Sequence, residues 1–292
     1  MKISIASGKG GTGKTLVATS LAASRALQTG KRITLADCDV EEPNAYLFFP
    51  ARTPPERKEC HVPLPLIDES KCSHCGKCAD FCAYHALAVL PQTVLLFAEL
   101  CHGCGGCSII CPEKAVSEGV RSVGDIFRAV SGGLQIVWGE LAVGEARTTP
   151  LIKAVKDLAE RDWQENDGCG DGDVIVDCPP GTSCSMVESV RDTDFFLLVT
   201  EPTPFGLYDM DIAMKVLEKM KIPRAVLVNK SGMGDRKVYD YLERKDIPLL
   251  MEIPLDRRIA ELYSRGEIFA MKMQQWQAGF ASLISRIEEM AA

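Results

Sequence analysis

An octapeptide near the start of the chain has the residue types and spacing of a phosphate-binding loop. Its sequence, GKGGTGKT from Gly8 to Thr15, matches G-x-x-x-x-G-K-[ST]. Glycines let the backbone curl so that successive N–H groups point at phosphate oxygens, and a following helix presents its positive end to the same anion. We expect Lys14 to reach the β- and γ-phosphates and the Thr15 hydroxyl to hold Mg²⁺. The nucleotide-binding residues predicted here are Gly8, Gly10, Gly11, Thr12, Gly13, Lys14 and Thr15.

The segments that flank this loop favour a phosphate site over a plain glycine turn. An apolar strand is predicted before it at residues 3–6, and a helix rich in Ala and Leu after it at 16–28, ending at Gly30-Lys31. Two further predicted strands end in carboxylates, Asp37 and Asp177, the second after an acidic, glycine-rich loop at 162–173. A doubly wound sheet places its chemistry at such strand ends.

Eight of the thirteen cysteines lie between Cys72 and Cys111 and form two copies of C-x2-C-x2-C-x3-C. This is the spacing of a bacterial two-cluster ferredoxin. Three thiolates on one tight loop cover three irons of a cubane, and the distal cysteine of the other repeat reaches the fourth. The predicted ligands are Cys72, Cys75, Cys78 and Cys111 for the first [4Fe–4S] cluster, and Cys101, Cys104, Cys107 and Cys82 for the second.

Structural zinc on paired C-x2-C motifs is the alternative for these cysteines. Zinc ribbons need four cysteines per metal, but they do not require the triplet followed by x3-Cys, so the spacing favours clusters. One departure from the ferredoxin pattern is Ala83, which follows Cys82 where the second repeat has Pro112. It removes no ligand.

Composition and charge limit the classes of function. The chain has 292 residues, 46% hydrophobic and 25% charged, with a net charge of −7 and a pI near 5.3. These values are typical of a soluble globular protein and offer no basic surface for nucleic acid or anionic lipid. With no signal peptide and no apolar run of membrane-spanning length, we predict a cytoplasmic protein that binds no nucleic acid and inserts into no membrane.

Lys9, two residues into the loop, gives the sequence KGGTGK, which resembles the deviant Walker A loop of the MinD/ParA/nitrogenase-iron-protein class of ATPases. The resemblance implies that Lys9 crosses a dimer interface to the partner's nucleotide. Residues 174–182, VIVDCPPGT, resemble Walker B and switch II of the same class. The resemblance implies that Asp177 binds Mg²⁺ through water and that the Gly181 N–H senses the γ-phosphate. Asp39 matches the switch I aspartate that orients or activates the attacking water. For Asp37, two residues earlier, a role in the site and simple capping of the strand end stay open.

Two weaker elements extend the resemblance to the base of the nucleotide. Asn229, at the end of a predicted strand, matches the residue whose amide pairs with adenine, and Pro254 lies in the segment that matches the loop closing over adenine. Gly232 stands where a guanine-reading N-K-x-D has its Asp. ATP is therefore favoured over GTP.

The resemblance covers nearly the whole chain and identifies it as a MinD/Mrp-superfamily P-loop ATPase with an inserted two-cluster ferredoxin domain. It implies a doubly wound, mainly parallel, Rossmann-like α/β sheet carrying an α+β ferredoxin-like insert. We predict that residues 1–60 and 118–292 form the ATPase domain and that 61–117 form the insert. The proline-containing segment from about residue 51 to 65 predicts a linker, and residues 276–290 predict a last helix that covers the sheet.

This resemblance implies an ATP-hydrolysing homodimer, closed by ATP, that acts on a redox or metal-cofactor acceptor protein. The first hypothesis is that ATP controls electron transfer, or maturation of a metal cofactor or cluster, in that partner. The alternative is an iron–sulfur scaffold or carrier, with Cys178 or Cys184 near a labile metal if they are not simply core residues. A spatial-positioning ATPase is disfavoured, because the last helix has no basic face.

Overall fold

A computed structural model of the chain describes residues 1–29, 32–165 and 172–291. In these ranges the strands are β1 (Lys2–Ala6), β2 (Ile33–Asp37), β3 (Glu56–Ile67), β4 (Leu87–Leu90), β5 (Thr93–Leu96), β6 (Val116–Ser131), β7 (Leu134–Leu141), β8 (Asp173–Asp177), β9 (Phe195–Thr200), β10 (Arg224–Ser231) and β11 (Leu249–Pro254). The helices are α1 (Lys14–Thr29), α2 (Lys77–Phe81), α3 (Gly106–Ile110), α4 (Thr149–Glu165), α5 (Cys184–Val190), α6 (Pro204–Glu218), α7 (Lys237–Arg244), α8 (Arg257–Ser264), α9 (Phe269–Lys272) and α10 (Gln274–Ala291), with a short 3-10 helix at Ala45–Phe48.

Two predictions fall partly on residues that the structure does not describe. The helix end predicted at residues 30–31 lies outside the described ranges. Helix α4 continues to Glu165, so the loop predicted at 162–173 begins later than expected, and residues 166–171, including Cys169, lie outside the described ranges as well.

The main sheet has nine strands in the order β11-β10-β9-β1-β8-β2-β7-β6-β3. The pairs from β11 to β7 are parallel, whereas β7–β6 and β6–β3 are antiparallel. The inner parallel strands are continuous buried runs, as expected for a sheet covered on both faces. The predicted fold class, a mainly parallel α/β sheet, is confirmed.

Two hydrophobic layers cover the two faces of this sheet. One face packs against α1 and the last helix, with Phe280, Leu283 and Ile287 of α10 buried there. The other face packs against α4, α5, α6 and α7. The prediction that the last helix covers the sheet is therefore confirmed. No described helix has both the length and the apolar character needed to cross a membrane.

A long antiparallel ribbon, β3 with β6, extends from the edge of the sheet. At its far end it carries residues 68–115, called here the cysteine segment. Its register runs from Glu56↔Arg128 to Ile67↔Val116. The linker prediction is wrong from residue 56 onward, because the pairing with β6 makes this segment a strand. Pro63 is tolerated because β3 is an edge strand, which leaves one row of N–H positions without a partner.

The ribbon crosses both predicted domain limits, since β3 spans residue 60 and β6 spans residue 117. The division into residues 1–60 plus 118–292 and 61–117 stays a prediction.

The cysteine repeat is also a repeat in backbone conformation. Helices α2 and α3 each begin five residues after the first cysteine of their copy, and each follows a left-handed glycine, at φ 80° for Gly76 and 72° for Gly105. The Asp68 N–H donates to the Ala115 carbonyl at 2.7 Å, and at the matching positions the Phe97 N–H donates to Ala86 at 2.9 Å. The two copies therefore have the same local fold.

We predict opposite stability effects for two glycine-to-alanine variants. A Cβ on Gly124, at φ +153°, would lie 2.3 Å from the Glu140 carbonyl oxygen, whereas a Cβ on Gly279 in α10 meets nothing closer than 3.5 Å. Gly124→Ala should lower the free energy of unfolding by about 1–3 kcal/mol through overpacking. Gly279→Ala should raise it by roughly 0.5–1 kcal/mol, because alanine has the higher helix propensity. Denaturant unfolding followed by circular dichroism measures both, and a stable Gly124→Ala variant would contradict the close approach of β6 and β7.

Candidate nucleotide site and cysteine centres

The predicted phosphate loop forms one wall of a cavity of about 430 Å³ at the carboxyl edge of the sheet. Helix α1 begins at Lys14, and the loop before it reaches left-handed φ angles at Gly11 and Gly13. Predicted residues that line the cavity are Gly10, Gly11, Gly13, Lys14, Thr15, Asp39, Asn229 and Pro254. Gly8 and Thr12 lie behind this lining, and Gly8 packs so closely on α6 that a Cβ would lie 2.2 Å from the Asp209 carbonyl oxygen.

The two residues predicted to hold Mg²⁺ are already in contact. The Thr15 hydroxyl donates to Asp177 Oδ2 at 2.6 Å. The other carboxylate oxygen, Asp177 Oδ1, is buried without a hydrogen-bond partner in the described part of the chain. Burial raises the pKa of Asp177 to about 8, the charge of Asp37 adds to the rise, and Lys14 opposes it. A buried carboxylate with an unused oxygen fits a cation, whose charge would stabilise the ionised form and offset the rise in pKa.

Asp37 and Asp39 have different roles in the segment after β2. Asp37 is fully buried beside Asp177, its register partner on β8, and accepts the N–H groups of Asp39, Asn44 and Ala45 at 2.9–3.0 Å. It therefore anchors the whole turn. Asp39 faces the cavity, and burial raises its pKa to about 6 although Lys14 acts to lower it.

Glu201, at the end of β9, is a site residue that the sequence analysis did not single out. Its carboxylate pairs with Lys9 Nζ through one oxygen and with Lys230 Nζ at 2.9 Å through the other, while Lys230 also donates to the Gly11 carbonyl. Burial acts to raise the pKa of Glu201, yet the two lysines hold it below its usual value. The available signal was its position, a carboxylate at the end of a buried parallel strand. Lys9 is thus held inside its own chain here, and its contact with a partner's nucleotide stays a prediction.

Asn229 and Gly181 both donate hydrogen bonds to the backbone of residues 7–12, at and just before the phosphate loop. Asn229 Nδ2 donates to the Thr12 carbonyl at 2.7 Å, and the Gly181 N–H donates to the Ser7 carbonyl at 3.0 Å. The predicted phosphate contact of Gly181 would require this N–H to leave Ser7. The contacts of Asn229 and Pro254 with adenine also stay predictions.

The structure brings each predicted set of four cysteines to one cavity. The first set, Cys72, Cys75, Cys78 and Cys111, lines a small cavity, and the second set, Cys82, Cys101, Cys104 and Cys107, lines a wider one of about 260 Å³. The distal cysteine of each repeat therefore lies with the triplet of the other repeat. Burial raises the pKa of Cys78, and the charges of Cys72 and Cys111 add to the rise, which places these three sulfurs in one neighbourhood.

Backbone N–H groups point at several of these sulfurs. Cys111 Sγ accepts from the Ala115 N–H at 3.3 Å, and Cys82 Sγ accepts from the Ala86 N–H at 3.4 Å, so the two repeats match again. Hydrogen bonds of this kind stabilise thiolate ligands and tune the potential of a cluster.

The spacing of the sulfurs can be compared with the geometry of a zinc site. A tetrahedral zinc with bonds of about 2.3 Å holds its sulfurs roughly 3.8 Å apart. In the described ranges no three cysteine sulfurs lie within 4.8 Å of one another, and the one compact group of possible ligands is Glu69, Cys72 and His74. In the described residues the quartets are therefore wider than a zinc site, and the two [4Fe–4S] clusters stay a prediction.

The fold and the loop together define a P-loop nucleotide-binding α/β protein. The chain belongs to the family of CobQ/CobB/MinD/ParA nucleotide binding domains, whose model matches residues 3–269. It is 29% identical over 271 residues to an uncharacterized protein of Methanocaldococcus jannaschii, covering 92% of this chain and 91% of the relative. It is 25% identical over 283 residues to an iron–sulfur cluster carrier protein of Pyrococcus furiosus, covering 91% and 77%.

Solved structures support the same fold. The septum site-determining protein MinD of Pyrococcus horikoshii, complexed with Mg-ADP, superposes with a TM-score of 0.59 at 17% sequence identity, over 100% of this chain and 97% of that one.

We predict that Asp37 stabilises the turn after β2 by accepting its three N–H groups. Asp37→Ala should lower the free energy of unfolding by about 2 kcal/mol or more, because each buried donor left without an acceptor costs roughly 1–3 kcal/mol. The matched variant Asp37→Asn keeps one acceptor oxygen and should lose less. Equal losses in thermal or denaturant unfolding would show that the N–H groups find other partners.

Proposed function

We propose that this protein is an ATP-dependent carrier of [4Fe–4S] clusters, which it delivers to an acceptor protein. The observation that carries the proposal is the pairing of two cysteine quartets with a P-loop cavity on one chain. The relatives in Pyrococcus that bear the name iron–sulfur cluster carrier protein support it. Exposed apolar side chains on the cysteine segment, such as Phe81, Tyr84 and Ile109, supply a surface of the kind that acceptors bind.

In this proposal the cysteine segment is an inserted ferredoxin-like module. Cys72, Cys75, Cys78 and Cys111 hold the first cluster, and Cys101, Cys104, Cys107 and Cys82 hold the second. The ferredoxin spacing and the wide separation of the sulfurs support iron over zinc.

The proposed nucleotide is ATP with Mg²⁺. Lys14 binds the β- and γ-phosphates, while Thr15 and Asp177 hold the metal ion, which neutralises charge on the phosphates. Asp39 orients the attacking water toward the γ-phosphate and accepts a proton from it. For this role Asp39 must be ionised. Burial raises its pKa and Lys14 acts to lower it, and with a pKa of about 6 Asp39 is ionised at neutral pH.

The proposed active species is a homodimer that ATP closes, with a deviant Walker A loop on each side. Lys9 reaches the phosphates of the partner's nucleotide only after it leaves Glu201. Lys230, which remains bonded to both Glu201 and the Gly11 carbonyl, keeps the carboxylate paired and the loop in place.

A second candidate function is ATP-gated electron transfer to a partner, or maturation of that partner's cofactor. The observation that favours it is the complete set of eight cysteines in two matching folds, an arrangement typical of ferredoxins that keep their clusters.

One experiment separates the two functions. Anaerobically purified holoprotein is incubated with apo-ferredoxin, with and without Mg·ATP, and the two proteins are separated again. A carrier leaves iron and sulfide on the acceptor when ATP is present. An electron-transfer protein keeps its iron and, after reduction with dithionite and removal of the excess, passes its electrons to oxidised holo-ferredoxin, supplied in place of the apo-protein, only when ATP is present. Lys14→Ala should retain iron and lose the ATP effect. Purified protein that contains zinc and no iron would contradict both functions.

The crossed ligand sets predict that either distal cysteine is needed for one cluster. Cys82→Ser and Cys111→Ser should each lower the iron content from about eight to about four per chain. Cys60→Ala is the matched control, since this cysteine of β3 belongs to neither set and lines neither cysteine cavity. Iron and sulfide analysis with electron paramagnetic resonance (EPR) measures the loss. Full iron content in both distal variants would contradict the ligand assignment.

The pKa of Asp39 predicts the pH dependence of ATP hydrolysis. At saturating Mg²⁺, which keeps Asp177 ionised, Asp39 with its pKa of about 6 should set the pH dependence. Because it acts in its ionised form, kcat/KM should be constant above pH 7 and fall about tenfold per pH unit below 6. Asp39→Asn should lower the rate by roughly 10²–10⁴-fold and remove this dependence. Glu42→Gln, at another carboxylate of the cavity, should keep the fall. A profile that is unchanged in Asp39→Asn would exclude Asp39 as the base.

A further inference from the structure

The loop after β7, residues 142–148, contacts two parts of the molecule. One is the nucleotide half, meaning the main sheet with its phosphate loop and covering helices, and the other is the cysteine segment. At its end, Thr148 Oγ1 lies 2.5 Å from Ser185 Oγ, in hydrogen-bond contact. Ser185 is the second residue of α5, four positions after Gly181, whose N–H is the proposed sensor of the γ-phosphate. One end of the loop is therefore bonded to the segment that must move when ATP binds.

The neighbouring residue reaches the second cysteine quartet. Arg147 Nη1 donates to the backbone carbonyl of Cys101, a proposed ligand of the second cluster. The Cys101 side chain is buried, and its sulfur accepts from the Gly103 N–H at 3.4 Å. Arg147 thus places a positive charge and a hydrogen bond on the backbone of the ligand loop, from a position 46 residues away in the sequence.

The Arg147 side chain is held in this position by Glu145. The Glu145 carboxylate accepts the Arg147 backbone N–H at 2.8 Å and its Nε at 3.4 Å, and it also pairs with Arg121 of the ribbon strand β6. The Glu145 side chain is only 3% exposed, so this is a buried, multiply bonded carboxylate and not a solvated surface pair. Because the Arg147 side chain is held in this way, a displacement of the loop would also displace its guanidinium group.

The first cysteine quartet has no corresponding contact within the described ranges. There the Cys72–Cys78 loop is bonded to Asp68 and Glu69, which belong to the cysteine segment itself. Glu69 in turn accepts the N–H of Val94, in the hairpin of that segment. The two quartets match in local fold but differ in their connection to the nucleotide half.

We propose that Arg147 is a positioning residue that couples the nucleotide state to the second cluster site alone. When Gly181 leaves Ser7 for the γ-phosphate, Ser185 moves Thr148, and Arg147 shifts the Cys101 carbonyl and the environment of that cluster. This rests on the proposed function, which supplies the clusters and the ATP. The coupling is a hydrogen-bonded chain between two sites, and a direct measurement is required to establish it.

The test compares the EPR spectrum and midpoint potentials of dithionite-reduced holoprotein with and without a non-hydrolysable ATP analogue. In the wild type the analogue should shift one cluster, which the Cys82→Ser and Cys111→Ser variants identify as the second. Arg147→Gln should lose this shift and Arg147→Lys should retain part of it. Arg57→Gln, which removes an exposed ion pair on β3, is the matched control and should keep the full shift.

Thr148→Val provides a second variant that touches no cysteine. If Arg147→Gln fails to load its second cluster, Thr148→Val decides the question, and it should load about eight irons, bind the analogue and lose the shift. An equal shift in the wild type and Thr148→Val, or no shift in iron-loaded wild type, would overturn the coupling and leave the proposed function intact. Wild-type protein without iron would overturn both.

Discussion

The structure depends on two buried carboxylates that lie side by side at the centre of the sheet. The parallel register of β2 and β8 pairs Asp37 with Asp177, and both face the start of α1. Two neighbouring carboxyl groups at low dielectric cannot both be ionised unless a positive charge or hydrogen-bond donors stabilise them. Asp37 is compensated by backbone N–H groups, and Asp177 by the Thr15 hydroxyl, which leaves one oxygen unused. In the proposed function, this unused oxygen is the position at which Mg²⁺ would bind.

The remainder of the fold connects this cavity to the cysteine segment. The turn anchored by Asp37 and the turn after β8 both border the cavity. The chain between β2 and β7 leaves the sheet as the ribbon of β3 and β6 and returns, so the cysteine segment is attached at both its ends to the nucleotide half. Loop 142–148 adds a contact from the side. An attachment at several points restricts the orientation of the module more than a flexible tether would.

Features encoded by neighbouring residues were predictable from the sequence, and those made by distant residues were not. The phosphate loop and the cysteine triplets close within a few residues, so their types and spacing fix their chemistry. The parallel strands were predictable because they are continuous apolar runs. By contrast, the bonds from Lys9 to Glu201 and from Arg147 to Cys101 join residues 192 and 46 positions apart. Strand β3 was mistaken for a linker, since its prolines conceal a pairing that only the partner strand β6 reveals.

The prolines of β3 also affect whether a strand of another molecule can pair with this edge of the sheet. Pro63 and Pro65 are two positions apart, so their nitrogens lie on the same side of β3, and an edge strand keeps proline nitrogens on the side away from its partner. Consecutive donor positions along the outer margin are therefore missing. A β-strand from another molecule would find no N–H donors at these two positions, which disfavours strand addition along this part of the edge.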